Sequence, residues 1–140
     1  MLSDIYNQTI TILNKLRASD NDTGKDEWFK TVVTDAAWYT DSARSAGGQS
    51  VYIGTYVTVL LPFHDDYLPY MQWKEAGKQD GHFTVSNNDY IIKGIVEEEI
   101  TANNIVKTMQ KYGEDVCTVR HHNEAHDRFG ATVQLKIEGV

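Results

Sequence analysis

Apolar residues in this chain recur mostly at every second position. The alternation is cleanest from Val51 to Leu61, where Val51, Ile53, Thr55, Val57, Val59 and Leu61 take one side of an extended chain and Tyr52, Tyr56, Thr58 and Leu60 the other. That pattern predicts a strand covered at least in part on both faces. Pro62, with no N–H to give to a ladder, ends it. Gln8 to Leu16 fits two periods: Ile5, Thr9, Ile12, Leu13 and Leu16 make a helical stripe behind Ser3, whereas Thr9 and Ile10 to Ile12 suit a strand. The polar turn Ser19 to Lys25 (SDNDTGK) and the β-like run Trp28 to Val33 behind it favour the strand, and with it a hairpin.

The same run continues through Ala36 to Thr40 and gives way to Asp41 to Ser50, DSARSAGGQS, whose small and polar residues predict a mobile loop without a core position. A second connection holds Pro69 among Tyr67, Leu68, Tyr70, Met71 and Trp73. Gly81 to Val85 and Tyr90 to Val96 predict a hairpin about Ser86-Asn87-Asn88-Asp89, since asparagine tolerates the positive φ of tight turns. One helix is predicted, Ala102 to Tyr112: Thr101 caps it, Ile105, Val106, Met109 and Tyr112 form its apolar stripe, and Gly113 stands at its C-terminal end. It is expected to cover one end or side of the sheet. Val116 to Arg120 and Ala131 to Ile137 predict a closing pair of strands joined by the polar loop HHNEAHDRFG. The expectation is a single domain over residues 1–140, mainly β: a small barrel or sandwich of about six strands, with one helix near the C-terminal hairpin and long loops.

Composition narrows the function classes. With 140 residues and 41% hydrophobic content there is material for one core. A net charge of −7 argues against a surface built to grip phosphates, although it suits a protein that lets nucleic acid slide past. Cys117 is the single cysteine, so no intramolecular disulfide forms and folding in a reducing cytoplasm is expected. Met1 to Arg17 lacks the pattern of a signal peptide, and no run approaches the roughly 18 apolar residues of a membrane span, so a soluble protein with no membrane contact is expected.

The richest chemical cluster is His121, His122, Glu124, His126, Asp127 and Arg128. A spacing of four would align His122 and His126 on a helix, but the flanking alternation and Gly130 place them in a hairpin loop, and no paired downstream ligand set accompanies them. They are read as a solvated outer loop that contacts a neighbouring subunit or the tail rather than holding a metal. His64, Asp65 and Asp66 follow a strand end with no nucleophile at a diagnostic spacing, and Glu97, Glu98 and Glu99 read as a solvated strand end. Tyr67, Tyr70 and Trp73 offer rings for a core connection or for stacking on a sugar. No phosphate-binding glycine loop or nucleophile elbow occurs, so neither catalytic residue, metal nor cofactor is assigned. The residues thus indicate a binding or assembly domain rather than an enzyme.

The segment ITILNKL, a short polar gap, TGKDEWFKTVV and then Trp38 resembles the N-terminal hairpin of the head-closure, or stopper, proteins found at the neck of long-tailed bacteriophages. YVTVLLP resembles the strand after that family's variable loop, and HFTVSNNDYIIKGIVEEEIT its later strand pair ending in Lys-Gly. Ile105 to Tyr112, Val116 to Arg120, Arg128 and Val133 to Val140 take the places of its helix and closing hairpin; Asp41 to Ser50 and HHNEAHD match nothing in it. The resemblance implies a structural virion protein, assembled in the host cytoplasm, whose copies form a ring below the portal-bound adaptor protein. Such a ring closes the DNA-filled head and docks a tail terminator or tail-completion protein, while viral DNA passes without sequence-specific binding. On this reading Asp41, Ser42, Arg44, Ser45, Gly47, Gly48 and Gln49 form a channel or interface loop. The other readings are a tail-terminator or adaptor ring, a small glycan-binding or cell-surface-binding β module and, least favoured, a metal-dependent hydrolase built on His121, His122 and His126.

Overall fold

The computed structural model describes residues 6–47, 50–75, 82–126, 128, 129 and 132–140, with backbone alone at 41–47, 50–55, 132 and 133. The strands are β1 (Gln8–Leu16), β2 (Glu27–Gly47), β3 (Ser50–Pro62), β4 (Tyr90–Lys93), β5 (Val116–His126) and β6 (Thr132–Gly139); the helices are α1 (Tyr70–Glu75) and α2 (Ile105–Tyr112). The strands close an antiparallel barrel in the order β1-β2-β3-β6-β5-β4. The mainly β expectation therefore resolves to a barrel.

Two strands make the closure. β2 pairs with β1 up to Ala36 and with β3 from Ala37 onward. β5 pairs with β4 through Val116, Cys117 and Thr118, then with β6 from Val119, and a register shift between Val119 and His121 marks the change of partner. The barrel interior is filled by Ile10, Ile12, Val59, Leu61, Ile91, Val119 and Ile137, all fully buried. Leu13 and Ile92 belong to a second cluster with Val96, Ile100 and Ile105, packed outside β1 and β4 beneath α2. β1 is apolar at consecutive positions because it has a core on each face. Gly139 lies where a Cβ would overlap the Thr118 carbonyl oxygen, so only glycine lets β6 run this close to β5.

Several expected boundaries move. Asp41 to Gly47 is not a loop: it continues β2 and pairs, residue by residue, with Ser50 to Tyr56 of β3. Its small residues misled because a two-stranded ribbon outside the barrel needs no core positions. His121 to His126 is likewise strand, opposite Glu138 to Thr132. The expected hairpin of Gly81 to Val85 with Tyr90 to Val96 is not formed by the described residues 82–85, Gly81 lying outside them: β4 covers only four residues and both its edges are taken, by β1 and β5. Phe83 instead makes a single parallel bridge to Tyr67, while Ser86 to Asp89 keeps the expected turn, with Asn88 at φ 75°.

α1 was not foreseen. Six residues are too few to show a helical period, yet the Trp73 N–H reaches the Pro69 carbonyl at 2.8 Å and its indole, fully buried, lies edge-on to Phe29 at 5.6 Å. α2 starts at Ile105 rather than Ala102, because the Asn104 side chain accepts the Thr101 N–H at 2.7 Å and winds the chain into the first turn. Its packed stripe is Ile105, Thr108, Met109 and Tyr112, the i, i+3, i+4, i+7 set, which turns Val106 outward to 65% exposure. Gly113 ends the helix at φ 53° with its N–H on the Met109 carbonyl, as expected.

A buried polar clamp holds the non-strand segment 82–89 onto the barrel. Asn14, fully buried on β1, donates to the Thr84 carbonyl at 2.6 Å and accepts the Thr84 N–H at 3.2 Å. The same amide donates to Asp89 at 2.9 Å, and the Asp89 carboxylate also accepts the N–H groups of Lys15 and Ser86. Asp89 is 1% exposed, and burial, only partly opposed by these bonds, pushes its carboxyl up to about 6. A raised carboxyl pKa means that the folded state holds its proton longer than the unfolded chain does. The Asp89 contribution to stability should therefore be complete below about 3.8 and fall by up to about 3 kcal/mol as pH rises through about 6. Denaturant titrations between pH 4 and 7 on the wild type and Asp89→Asn should show this decline only in the former. Asn14→Ala, which strands the Thr84 backbone groups, should cost roughly 3 kcal/mol at pH 4 and more toward pH 7, where the Asp89 carboxylate also loses the Asn14 donor.

Candidate functional site

Two surface features stand out against this frame. The first is the ribbon. β6 reaches β3 only as far as Val57, and β1 leaves β2 at Ala36, so among the described residues the seven rungs from Asp41↔Tyr56 to Gly47↔Ser50 have no third strand on either edge. At the rise of an antiparallel strand they extend roughly 20 Å past the barrel wall. Where β2 parts from β1, a cleft of about 530 Å³ opens at the ribbon root, among Trp38, Thr40, Val57, Lys93, Val116 and Val140. Of the residues expected in a channel loop, Asp41, Ser42, Arg44, Ser45 and Gly47 lie along the β2 side of this ribbon; Gly48 and Gln49 lie outside the described residues.

The second feature is a groove of about 280 Å³ at the opposite end of the barrel, lined by Arg17, Tyr67, Pro69, Tyr70, Val85, Ser86, Asn87 and His122. It brings together residues that were considered apart, His122 from the polar cluster with Tyr67 and Tyr70 from the aromatic segment. His122 and Glu124 lie opposite Ile137 and Leu135, the core-facing positions of β6, so they share the face that looks over the barrel mouth. On a strand, residues two apart align as surely as residues four apart on a helix, and that spacing was the signal in the sequence. The Tyr67 hydroxyl bonds to Glu124, and burial together with that carboxylate pushes it up to about 12. Burial, then the neighbouring His121, lower the His122 ring, with Glu124 pulling the other way.

Arg17 was not singled out, and no local pattern marks it. It becomes part of the groove through a contact 53 residues distant: its guanidinium stacks 4.5 Å from the Tyr70 ring centroid and its backbone N–H donates to the Tyr70 hydroxyl at 3.3 Å. That hydroxyl in turn donates to Asp20 at 2.6 Å, and Lys74 holds the other Asp20 oxygen at 3.3 Å, so the Asp20 carboxyl sits below its usual range, chiefly through the Tyr70 bond.

The remaining candidates are dispersed. His121 and His126 are exposed on β5, His126 lying 3.8 Å from Glu124; Arg128 covers the Phe129 ring at 4.9 Å in the turn beyond, and Asp127 lies outside the described residues. His64 stands edge-on to Phe83, and the Asp66 backbone carbonyl accepts the Phe83 N–H at 3.0 Å. Glu97 and Glu98 are fixed by Lys30 of β2, which donates to both backbone carbonyls. Among the described residues no group of three His, Cys, Asp or Glu side chains is placed to hold a metal ion. Cys117 is buried, and burial pushes its thiol up to about 11, which leaves little thiolate for chemistry.

Over residues 5–140 the chain matches, and belongs to, a family described only as of unknown function, DUF6751. No curated protein and no solved structure matches it.

The lowered His122 pKa fixes the sign of a second pH effect. A ring that is harder to protonate when folded contributes stability above 6.5, and that contribution is lost as pH falls through the depressed value. His122→Gln should flatten this decline on the acid side of 6.5 and leave stability at pH 8 nearly unchanged, as read from melting temperature against pH. It works against the Asp89 trend, so the two variants must be compared separately and together.

Proposed function

We propose that this protein is a structural subunit of a ring at the neck of a long-tailed bacteriophage, closing the DNA-filled head and docking the tail. The observation that carries the reading is the ribbon. A two-stranded arm is marginally stable alone in water, and an arm whose edges no described residue pairs is a template for further pairing, so one that projects from a closed barrel suits a segment completed by neighbouring copies. On this reading the barrel is the ring block and the Asp41 to Tyr56 arm lies along the channel or against an adjacent subunit. The net charge of −7 keeps passing DNA from adhering, and the sequence resemblance to head-closure proteins supplies the biological setting. A tail-terminator or adaptor ring would use the same parts.

The glycan-binding alternative gains less support. Trp73 is fully buried and one face of Tyr70 is covered by Arg17, so Tyr67, Tyr70 and Trp73 do not form a row of open rings for a sugar.

Shortening the ribbon in register tests the proposal: removing the rungs from Ala43↔Gly54 outward and closing Ser42 to Thr55 with a tight turn leaves every barrel ladder intact. The shortened protein should melt within a few degrees of the wild type yet fail to support DNA retention in filled heads. Normal retention would sink the arm's role, whereas loss of folding would show that the ribbon belongs to the barrel's own stability.

A further inference from the structure

A strand paired on one side turns half of its backbone N–H and C=O groups away from its partner. On the arm those groups face outward along both sides. Among the described residues β1 leaves the β2 edge at Ala36 and β6 leaves the β3 edge at Val57, so the arm carries two open edges made by different strands, β2 from Asp41 to Gly47 and β3 from Ser50 to Tyr56. The two edges span the same seven rungs. Such an edge takes up an extended main chain, which its backbone groups recognise whatever the side chains are.

Three pairings between copies are open to an arm of this kind. β2 against β2, or β3 against β3, relates two copies by a two-fold axis and stops at a dimer, with the other edge of each arm still open. β2 of one copy against β3 of the next presents a fresh edge to every further copy, so that in a closed ring each rung of each arm is paired on both sides. The third pairing also keeps the local geometry. β2 runs outward along the arm and β3 returns, so arms that point the same way set β2 antiparallel to the β3 of the next copy, as the two strands already lie within one arm. Each arm then adds about 10 Å of wall. The barrel behind it, closed by six strands and flanked by two helices, is broader than the arm, so arms set edge to edge make the barrels fan outward and the row curve round.

The root of the arm is shaped for the same contact. Tyr39, 49% exposed, and Tyr56, 44% exposed, stand on one face, since Tyr56 is the rung partner of Asp41, two residues along from Tyr39. A neighbouring β3 in the register of the arm's own rungs brings its Tyr56 diagonally against Tyr39 and covers these two rings around the row.

We propose that the β2 edge of each arm pairs antiparallel with the β3 edge of a second copy, head to tail, so that the arms of a ring form one continuous sheet. It rests on the ring reading above and names the partner strand which that reading leaves open. Chains that each carry a net charge of −7 repel at a distance, and a short ladder does not hold two of them together in dilute solution, so the sheet forms where copies are gathered.

Cross-linking between chains that carry one added cysteine each tests the pairing, and the buried Cys117 stays out of reach of the reagent. Ser45→Cys lies on the β2 edge. Tyr52→Cys faces it in the register of the arm's own rungs, and Ser50→Cys and Gly54→Cys cover a shift of two residues either way. With a short bifunctional thiol reagent, at high protein concentration and on filled heads, a tagged Ser45→Cys chain mixed with one of the three β3 variants should give a mixed dimer. Each variant alone should give no dimer and should melt within a few degrees of the wild type. A like dimer of Ser45→Cys, or of a β3 variant, as abundant as the mixed one would overturn the head-to-tail pairing. So would the absence of a mixed dimer with all three β3 variants from particles in which micrographs show rings; there the ring reading survives and only the edge pairing falls. Protein that forms neither ring nor cross-link under either condition removes both.

Discussion

The barrel depends on one side chain doing the work of a strand. At Thr84 the Asn14 amide presents a donor and an acceptor to the Thr84 carbonyl and N–H, the same pair of groups that a neighbouring backbone would offer. Segment 82–89 can therefore enter the interior without belonging to a sheet, bringing Phe83 and Val85 into the core and delivering the chain to β4 at Tyr90. Burying those backbone groups unpaired would cost several kcal/mol. Asp89 completes the clamp by accepting from Asn14, Lys15 and Ser86, and its own backbone reaches across to Val119 of β5. The groove follows from this arrangement, since Ser86 and Asn87 form its floor only because the turn is held between β1 and β5.

The strands were legible in the sequence wherever alternation coincided with burial. Val57, Val59 and Leu61 are the case in point: one side fully committed to the core, with Thr58 and Leu60 half-covered on the other. Strand that carries no core residue was not legible. Asp41 to Gly47 and His121 to His126 are extended because a ladder partner continues beside them, and ladder bonds are made by backbone that every sequence shares. Composition predicts burial well and hydrogen bonding poorly. The same asymmetry explains the false hairpin at 81–96, where two apolar runs and a good turn were present but both edges of β4 were occupied by strands distant in sequence.

The groove was legible in part. His122 and Glu124 were singled out as chemistry but placed in a loop, where their spacing carries no meaning; on β5 it aligns them toward the barrel mouth. Tyr67 and Tyr70 were recognised as amphipathic rings, yet the partner of each, Glu124 and Arg17, is more than fifty residues away. Contacts of that range arise from barrel closure and leave no local trace.

The ribbon also bears on how the molecule carries load. β2 is an unbroken strand of 21 residues, and its outer half is the arm while its inner half is barrel wall; β3 is continuous in the same way. A pull along the arm is thus passed directly into the β1–β2 and β3–β6 ladders, parallel to their strands, so that many hydrogen bonds are sheared at once instead of being opened one after another from an end. A sideways push meets only the two-stranded arm, which has no third strand among the described residues to stiffen it. The arm is accordingly strong along its length and compliant across it, the mechanical behaviour of a tether that bends aside and does not tear out.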